Sequence, residues 1–195
     1  MTKERDLEFL YEIGSLRFMP RTWRQFFNKE VANNAEHTFR VVWIAMMLAV
    51  KEGADINKVM KMALVHDIAE SRASDVHYVS RMYTKRDEQS AIKDMFKEVI
   101  LEKEFLELFH EYEERKTREA KIVKDADNLD VDLELQEHEV NGIKIKEVFK
   151  QTREAVYNKL FTDTAKKWWK EIQTSNPHDW HIKGNNRFTN GDWKS

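Results

Sequence analysis

Three short stretches of this chain carry ionisable side chains at positions where helical spacing calls for apolar ones. His37 precedes Val41, Ile44 and Leu48 by four, seven and eleven residues, so on a helix it shares their inward face. Taken alone, such a His is more often a hydrogen-bonded core residue than a ligand. His66 follows Val59, Met62 and Ala63 in the same manner and is itself followed by Asp67 and, one turn on, Glu70. At about 100° per residue His66, Asp67 and Glu70 project at about 0°, 100° and 40°, within an arc of about 100° on one side of the helix. A helix C-terminus facing water would also hold such a trio, but the apolar residues just before His66 turn that face inward. There, unpartnered charge is costly and a cation or water is needed. The third stretch is Lys124-Asp125-Ala126-Asp127-Asn128-Leu129-Asp130. Ala120 and Val123 put Asp127 on the inward stripe, Asp125 and Asp132 turn away, and Asp130 can share the site or support it. An acidic patch alone is usually a solvated face.

Taken together, His37, His66, Asp67 and Asp127 offer nitrogen and oxygen ligands without sulfur, a set suited to one divalent ion such as Mn, Co, Mg, Fe or Zn. Four protein ligands leave room for water only at five- or six-coordination, so a catalytic site here calls for an octahedral preference. Water of lowered pKa is then the nucleophile, and Glu70, outside the ligand set, is placed to orient or deprotonate it.

These residues need helices to hold them. Between Pro20 and Pro177 only Gly53 and Gly142 interrupt a stretch rich in Ala, Leu, Met, Glu and Lys, a composition that favours helix. Leu7, Leu10, Tyr11 and Gly14 fall on helical spacing, and residues 17–27 read as an irregular connection. Asn33 or Asn34 can cap a helix over about 35–51. Gly53 ends it, and Asp55 or Asn57 can cap a second helix that closes near Glu70. Residues 71–84 read as a loop or broken helix. Helical period returns over about 86–100, 102–113 and 116–140, and two more helices follow Gly142. The tail, 176–195, is polar but contains Trp180, Phe188 and Trp193. It reads equally as a loose terminus or as a strap whose aromatics dock on the core or on a second subunit.

Composition excludes several classes. With 195 residues the chain is long enough for one domain with a core that needs no staple. A net charge of -2 argues against a broad nucleic-acid or anionic-membrane surface. The absence of cysteine removes disulfides, thiolate nucleophiles and Cys-type zinc sites. The five glycines are dispersed, so no phosphate-cradling Gly-rich loop exists. The longest apolar run, 41–50, is about half a membrane span, and residues 1–10 carry charges where a signal peptide is apolar. A soluble, cytoplasmic protein is expected.

The pattern resembles the HD-domain metal-dependent phosphohydrolases, whose signature is an isolated His, a His-Asp doublet and a distant Asp. Here these are His37, His66-Asp67 and Asp127. The strings Ala35-Glu36-His37-Thr38-Phe39-Arg40, Ala63-Leu64-Val65-His66-Asp67-Ile68-Ala69-Glu70 and Val123-Lys124-Asp125-Ala126-Asp127-Asn128-Leu129 resemble the branch that contains the 5′-deoxynucleotidases. The likeness runs from about Leu7 to Leu160. It implies an all-α HD-domain helical bundle over 1–175, with the polar, aromatic-containing tail 176–195 beyond it. It further implies a homodimer, acting on nucleoside 5′-monophosphates, preferably the deoxy form. Arg21 matches the family's phosphate-binding Arg, and Trp23 stands one residue away from the position of the family's substrate-binding Trp. Asp75 matches an Asp that holds the attacking water or reaches the sugar, and it joins Glu70 as a catalytic candidate. Ser74 stands where the family usually has Gly. Alarmone hydrolases fit less well, because Glu70 is followed by Ser71 rather than Asp. Cyclic-dinucleotide phosphodiesterases add a Gly-Tyr-Pro motif that this chain lacks. A non-hydrolytic metal- or nucleotide-binding regulatory module, or a phosphatase for another small metabolite, would use the same scaffold.

Overall fold

The architecture follows from where helices can start and stop. A computed structural model of the chain describes residues 5–27 and 30–183, and among the described residues helices form without any strand. The first helix, α1 (Arg5–Gly14), buries Phe9 but leaves Leu7, Leu10 and Tyr11 exposed. A 3-10 turn (Ser15–Phe18) and the short α2 (Arg24–Phe27) make up the irregular connection, pinned by a bridge between Pro20 and Asn33.

Helix α3 (Asn34–Glu52) begins with a capping box: the Asn33 side chain accepts from the Glu36 N–H, and the Glu36 carboxylate accepts from that of Asn33. It ends at Gly53, whose φ of 65° is the left-handed conformation that glycine adopts without steric cost. Asp55 caps α4 (Ile56–Val65) by accepting from the Asn57 and Lys58 N–H groups. Then come α5 (Glu70–Ala73), a 3-10 turn (Ser80–Met82), α6 (Glu88–Phe96) and α7 (Glu102–Glu114). The long α8 (Arg118–Val140), capped by Thr117, is followed by α9 (Lys146–Tyr157), α10 (Asp163–Ile172) and α11 (Asp179–Ile182). Trp180 is exposed on α11, while Phe188 and Trp193 lie outside the described residues. Among the described residues no helix is long and apolar enough to cross a membrane.

The core sits where α3 packs against α4 and α8. Val41, Ile44, Ala45 and Leu48 of α3 meet Val59, Met62 and Ala63 of α4 and Ala120, Val123, Ala126 and Leu129 of α8. A smaller cluster of Phe27, Val131, Leu135 and Phe149, with Trp23 against it, closes the side toward the irregular connection. Of the three helices that share the main core, α3 and α8 carry His37 and Asp127 and α4 leads directly into His66 and Asp67, so burying their apolar faces brings the three polar stretches together.

One expectation needs correcting. The second helix does not run to Glu70; it stops at Val65, and residues 66–69 form tight turns. The His66 ring is the reason. Its Nδ1 bonds the Ala63 carbonyl at 2.7 Å, the acceptor that the Asp67 N–H would use if the α-helix continued. The backbone shifts to shorter bonds, Glu70 N–H to Asp67 O at 3.0 Å and Ser71 N–H to Ile68 O at 3.1 Å. Residues three apart then superimpose along the axis, which aligns Asp67 and Glu70.

Candidate active site

The four proposed ligands converge. His37, His66, Asp67 and Asp127 each offer one ligand atom, and these atoms all lie within 4.8 Å of one another. Both histidines are buried. In His37 the Nδ1 lies 2.6 Å from Asp130 Oδ2; an ionised carboxylate only accepts, so Nδ1 carries the proton and donates. In His66 the bond to the Ala63 carbonyl imposes the same tautomer. Each ring therefore presents Nε2 to the cluster, and both Nε2 atoms are buried without a hydrogen-bond partner. His37 Nε2 stands 3.3 Å from Asp127 Oδ1 and 3.5 Å from Asp67 Oδ2, and His66 Nε2 stands 3.4 Å from Asp67 Oδ2. Orphaned imidazole nitrogens facing carboxylate oxygens are the donor set of a divalent cation, so these residues fit a metal.

Electrostatics agrees. Burial and Arg21 oppose protonation of His37, yet its contacts with Asp127, Asp130 and Asp67 outweigh them and hold its pKa well above the ordinary value. The cluster thus attracts positive charge strongly enough to draw a proton onto a buried ring. Burial pushes the Asp67 carboxyl up, but His66, His37 and Arg21 more than reverse that and keep it well below its usual range. Asp127 is likewise depressed: burial opposes ionisation, while Lys124, 2.7 Å away, and His37 favour it.

Glu70 behaves oppositely. It is buried, and its pKa is pushed up to about 8 by desolvation first and then by Asp67 and Asp75, against the pull of Arg21 and Asn34. A cation bound at the adjacent cluster favours the ionised form, and a carboxylate beside a cation site suits a proton acceptor. The Asn34 side-chain amide donates to its Oε2 at 2.7 Å. Asn34 had looked like a cap; Asn33 takes that role, which frees the Asn34 side chain for the site. Arg86, which no sequence signal picked out, approaches Glu70 Oε1 at 3.4 Å and donates to the Ser74 carbonyl at 3.0 Å.

Arg21 and Asp75 also arrive here. Arg21 is buried, donates to Asp67 at 3.0 Å and lies 3.7 Å from both Glu70 and Asp75. Asp75 accepts from the Thr22 N–H at 3.0 Å, which ties the irregular connection to the segment after α5. Ser74 takes φ 63° and ψ 150°, a conformation nearly exclusive to glycine. Here the serine adopts the glycine conformation rather than rerouting the chain. Trp23 lines the same cavity while packing edge-on against Phe149, with centroids 4.9 Å apart. The cavity, about 410 Å³, includes Arg21, Trp23, His66, Asp67, Glu70, Asp75 and Asp127 in its walls. His37 lies beneath, reaching the cluster through Nε2.

Asp130 supports the site. Besides His37 it engages Arg40, and Arg40 in turn donates to Glu137 at 2.7 Å. Tyr112, also unforeseen, is buried edge-on to His66 and carries the Arg115 guanidinium 3.3 Å above its ring.

A helical core that presents His37, the His66-Asp67 doublet and Asp127 to one point is the architecture of an HD domain. Residues 13–169 match the family model described as "HD domain", and the chain belongs to that family. Among its relatives, the 5′-deoxynucleotidase HDDC2 of Dictyostelium discoideum is 32% identical over 179 residues, covering 82% of this chain and 94% of that protein. The human protein of the same name is 30% identical over 139 residues, 68% of each chain. In three dimensions the chain is similar to the PH0347 protein of Pyrococcus horikoshii, with a TM-score of 0.68, 29% identity, and coverage of 85% of this chain and 95% of that one.

Proposed function

We propose that this protein is a metal-dependent hydrolase of nucleoside 5′-monophosphates, preferably the deoxy form, releasing nucleoside and phosphate. The observation that carries it is the pair of buried, unpartnered Nε2 atoms facing Asp67 and Asp127, with the Glu70 side chain lining the same cavity. The names of the 5′-deoxynucleotidase relatives support the substrate class.

In this reading His37, His66, Asp67 and Asp127 hold one divalent ion, Mn, Co or Mg before Fe or Zn. Such an ion supplies charge that polarises a phosphoryl oxygen and acidifies water. Glu70 takes the proton of the attacking water, whose oxygen bonds to phosphorus as the P–O bond to the sugar breaks, and the departing sugar oxygen takes up a proton from Glu70 or from solvent water, completing the nucleoside. Asn34 and Arg86 fix the Glu70 carboxylate, and Arg21 meets the charge of the phosphoryl oxygens. Asp75, held by the Thr22 N–H, orients the water or the sugar, and Trp23 walls the sugar. The protein acts as a cytoplasmic homodimer. An outward apolar stripe on α3, formed by Phe39, Trp43, Met47 and Val50, supports the second copy, because that face is exposed and lies opposite the core.

The test is phosphate release from ribo- and deoxynucleoside monophosphates in the presence of Mn, Co or Mg. Turnover of the deoxy forms is expected, with kcat lowered about 10²- to 10⁴-fold by Glu70→Gln. No release with any of these ions, from protein whose circular dichroism is helical, overturns the proposal.

A further inference from the structure

The cavity that contains the polar cluster has a second, aromatic wall formed by Phe26, His77 and Tyr78. Phe26 lies one helical turn beyond Trp23, and His77 and Tyr78 follow Asp75 by two and three residues. The Phe26 and Tyr78 rings are nearly parallel, 20° apart with centroids at 6.4 Å. His77 stands edge-on to both, at 80° in each case, with centroids at 5.3 and 6.0 Å. Both His77 nitrogens are engaged. Nδ1 accepts from the Val79 N–H at 3.2 Å, so the ring proton is on Nε2 and is donated to Ser80 Oγ at 2.8 Å. These two bonds fix the orientation of the ring. Phe26 and Tyr78 are nevertheless 41% and 65% exposed, an aromatic surface left wet at the mouth of a polar cavity.

We propose that Phe26, His77 and Tyr78 form a stacking platform for the nucleobase of the substrate. This rests on the nucleotide-hydrolase reading above and deepens it. With the phosphate at Arg21 and the metal cluster, and the sugar between Trp23 and Asp75, the base falls on the residues that follow Trp23 and Asp75 in the chain. Ring faces accept any base, and His77 has no hydrogen-bonding nitrogen left with which to read a base edge. The platform therefore separates nucleotides from bare sugar phosphates while choosing weakly among bases.

The experiment is calorimetric titration of Mn-loaded Glu70→Gln protein, which stops turnover, with dAMP and with 2-deoxyribose 5-phosphate. In this background dAMP should bind at least about tenfold more tightly, and the bound base should show induced circular dichroism. Adding Tyr78→Ala should narrow the gap and remove the induced signal, and Tyr78→Trp should restore both. Because Tyr78 is exposed, its replacement spares the fold; Phe26→Ala is the second variant. Equal affinity for the two ligands without these replacements, or a gap unchanged in both alanine variants, overturns the platform. Absence of phosphate release from active-sequence protein overturns the hydrolase reading instead, and the titration still decides the platform.

Discussion

Helix α8 carries four buried aspartates on two faces, and the faces do different work. Asp127 and Asp130 look toward His37, and the cations around them hold both carboxyls below their usual range against the cost of burial. Asp125 and Asp132 look the other way, and burial pushes both up despite good partners. Asp125 accepts from the Phe161 N–H at 2.9 Å and from the Thr162 N–H and hydroxyl, each at 2.8 Å, securing the start of α10. Asp132 grips Arg153 of α9 in a bidentate pair at 3.0 and 2.6 Å. A buried carboxylate is therefore no sign of chemistry by itself. What separates the faces is the imidazole: cations reach both, as Arg153 on the structural side and as Lys124 and Arg40 on the other, but of the four aspartates only Asp127 and Asp130 face His37, whose Nε2 is unpartnered.

The largest effect expected on the structural face comes from Asp132→Ala, which leaves the Arg153 charge buried without a carboxylate and bonded, among the described residues, only to the Asn128 carbonyl. Stability should fall by about 3–5 kcal/mol, read in a denaturant titration, while ion uptake by the folded protein is retained. On the other face, Asp130→Asn keeps the shape but removes the charge that orients His37. Metal affinity measured by calorimetry should drop about 10- to 100-fold. Comparable ion affinity in Asp130→Asn and the native protein would erase the distinction between the faces.

A pH experiment sharpens it further. Glu70 has a higher pKa in the folded protein, about 8, than its ordinary 4.5, so the metal-free fold binds that proton more tightly than the unfolded chain does. Its stabilising contribution is complete below 4.5 and is lost as pH rises through about 8. Metal-free Glu70→Gln should thus show a flatter decline of melting temperature than the native protein across this window. Asp67 and Asp127, with lowered pKa values, act with the opposite sign and only below the ordinary 3.8. Identical pH profiles for variant and native protein would contradict the assigned environment of Glu70. The smallest effect concerns Ser74, whose φ of 63° glycine adopts without strain. Ser74→Gly should stabilise the fold by about 1 kcal/mol, visible as a raised denaturation midpoint.

The site-facing side of α8 was legible in the sequence because Asp127 interrupts an apolar stripe, as His37 does on α3 and as His66 does directly after α4. The structural side was not. Spacing turned Asp125 and Asp132 away from the stripe correctly, but it could not reveal that α9 and α10 cover them, since Arg153 and Thr162 are brought there only by tertiary packing. The same limit hid Arg86, Tyr112 and the Asn34–Glu70 bond. Helix periodicity also missed the break at Val65, because it was a side-chain bond from His66 to a backbone carbonyl that ended the α-helical ladder. Arg21 and Asp75 came from likeness to a family, and local pattern alone would have left both in loops.

The most direct test of the metal centre is calorimetric titration of the protein with Mn²⁺, beside Asp127→Ala and His66→Ala variants whose helicity is intact. One ion bound per native chain, with binding lost in both variants, is the expected result. A native chain that takes up no ion, or variants that bind it with unchanged affinity, would contradict the account.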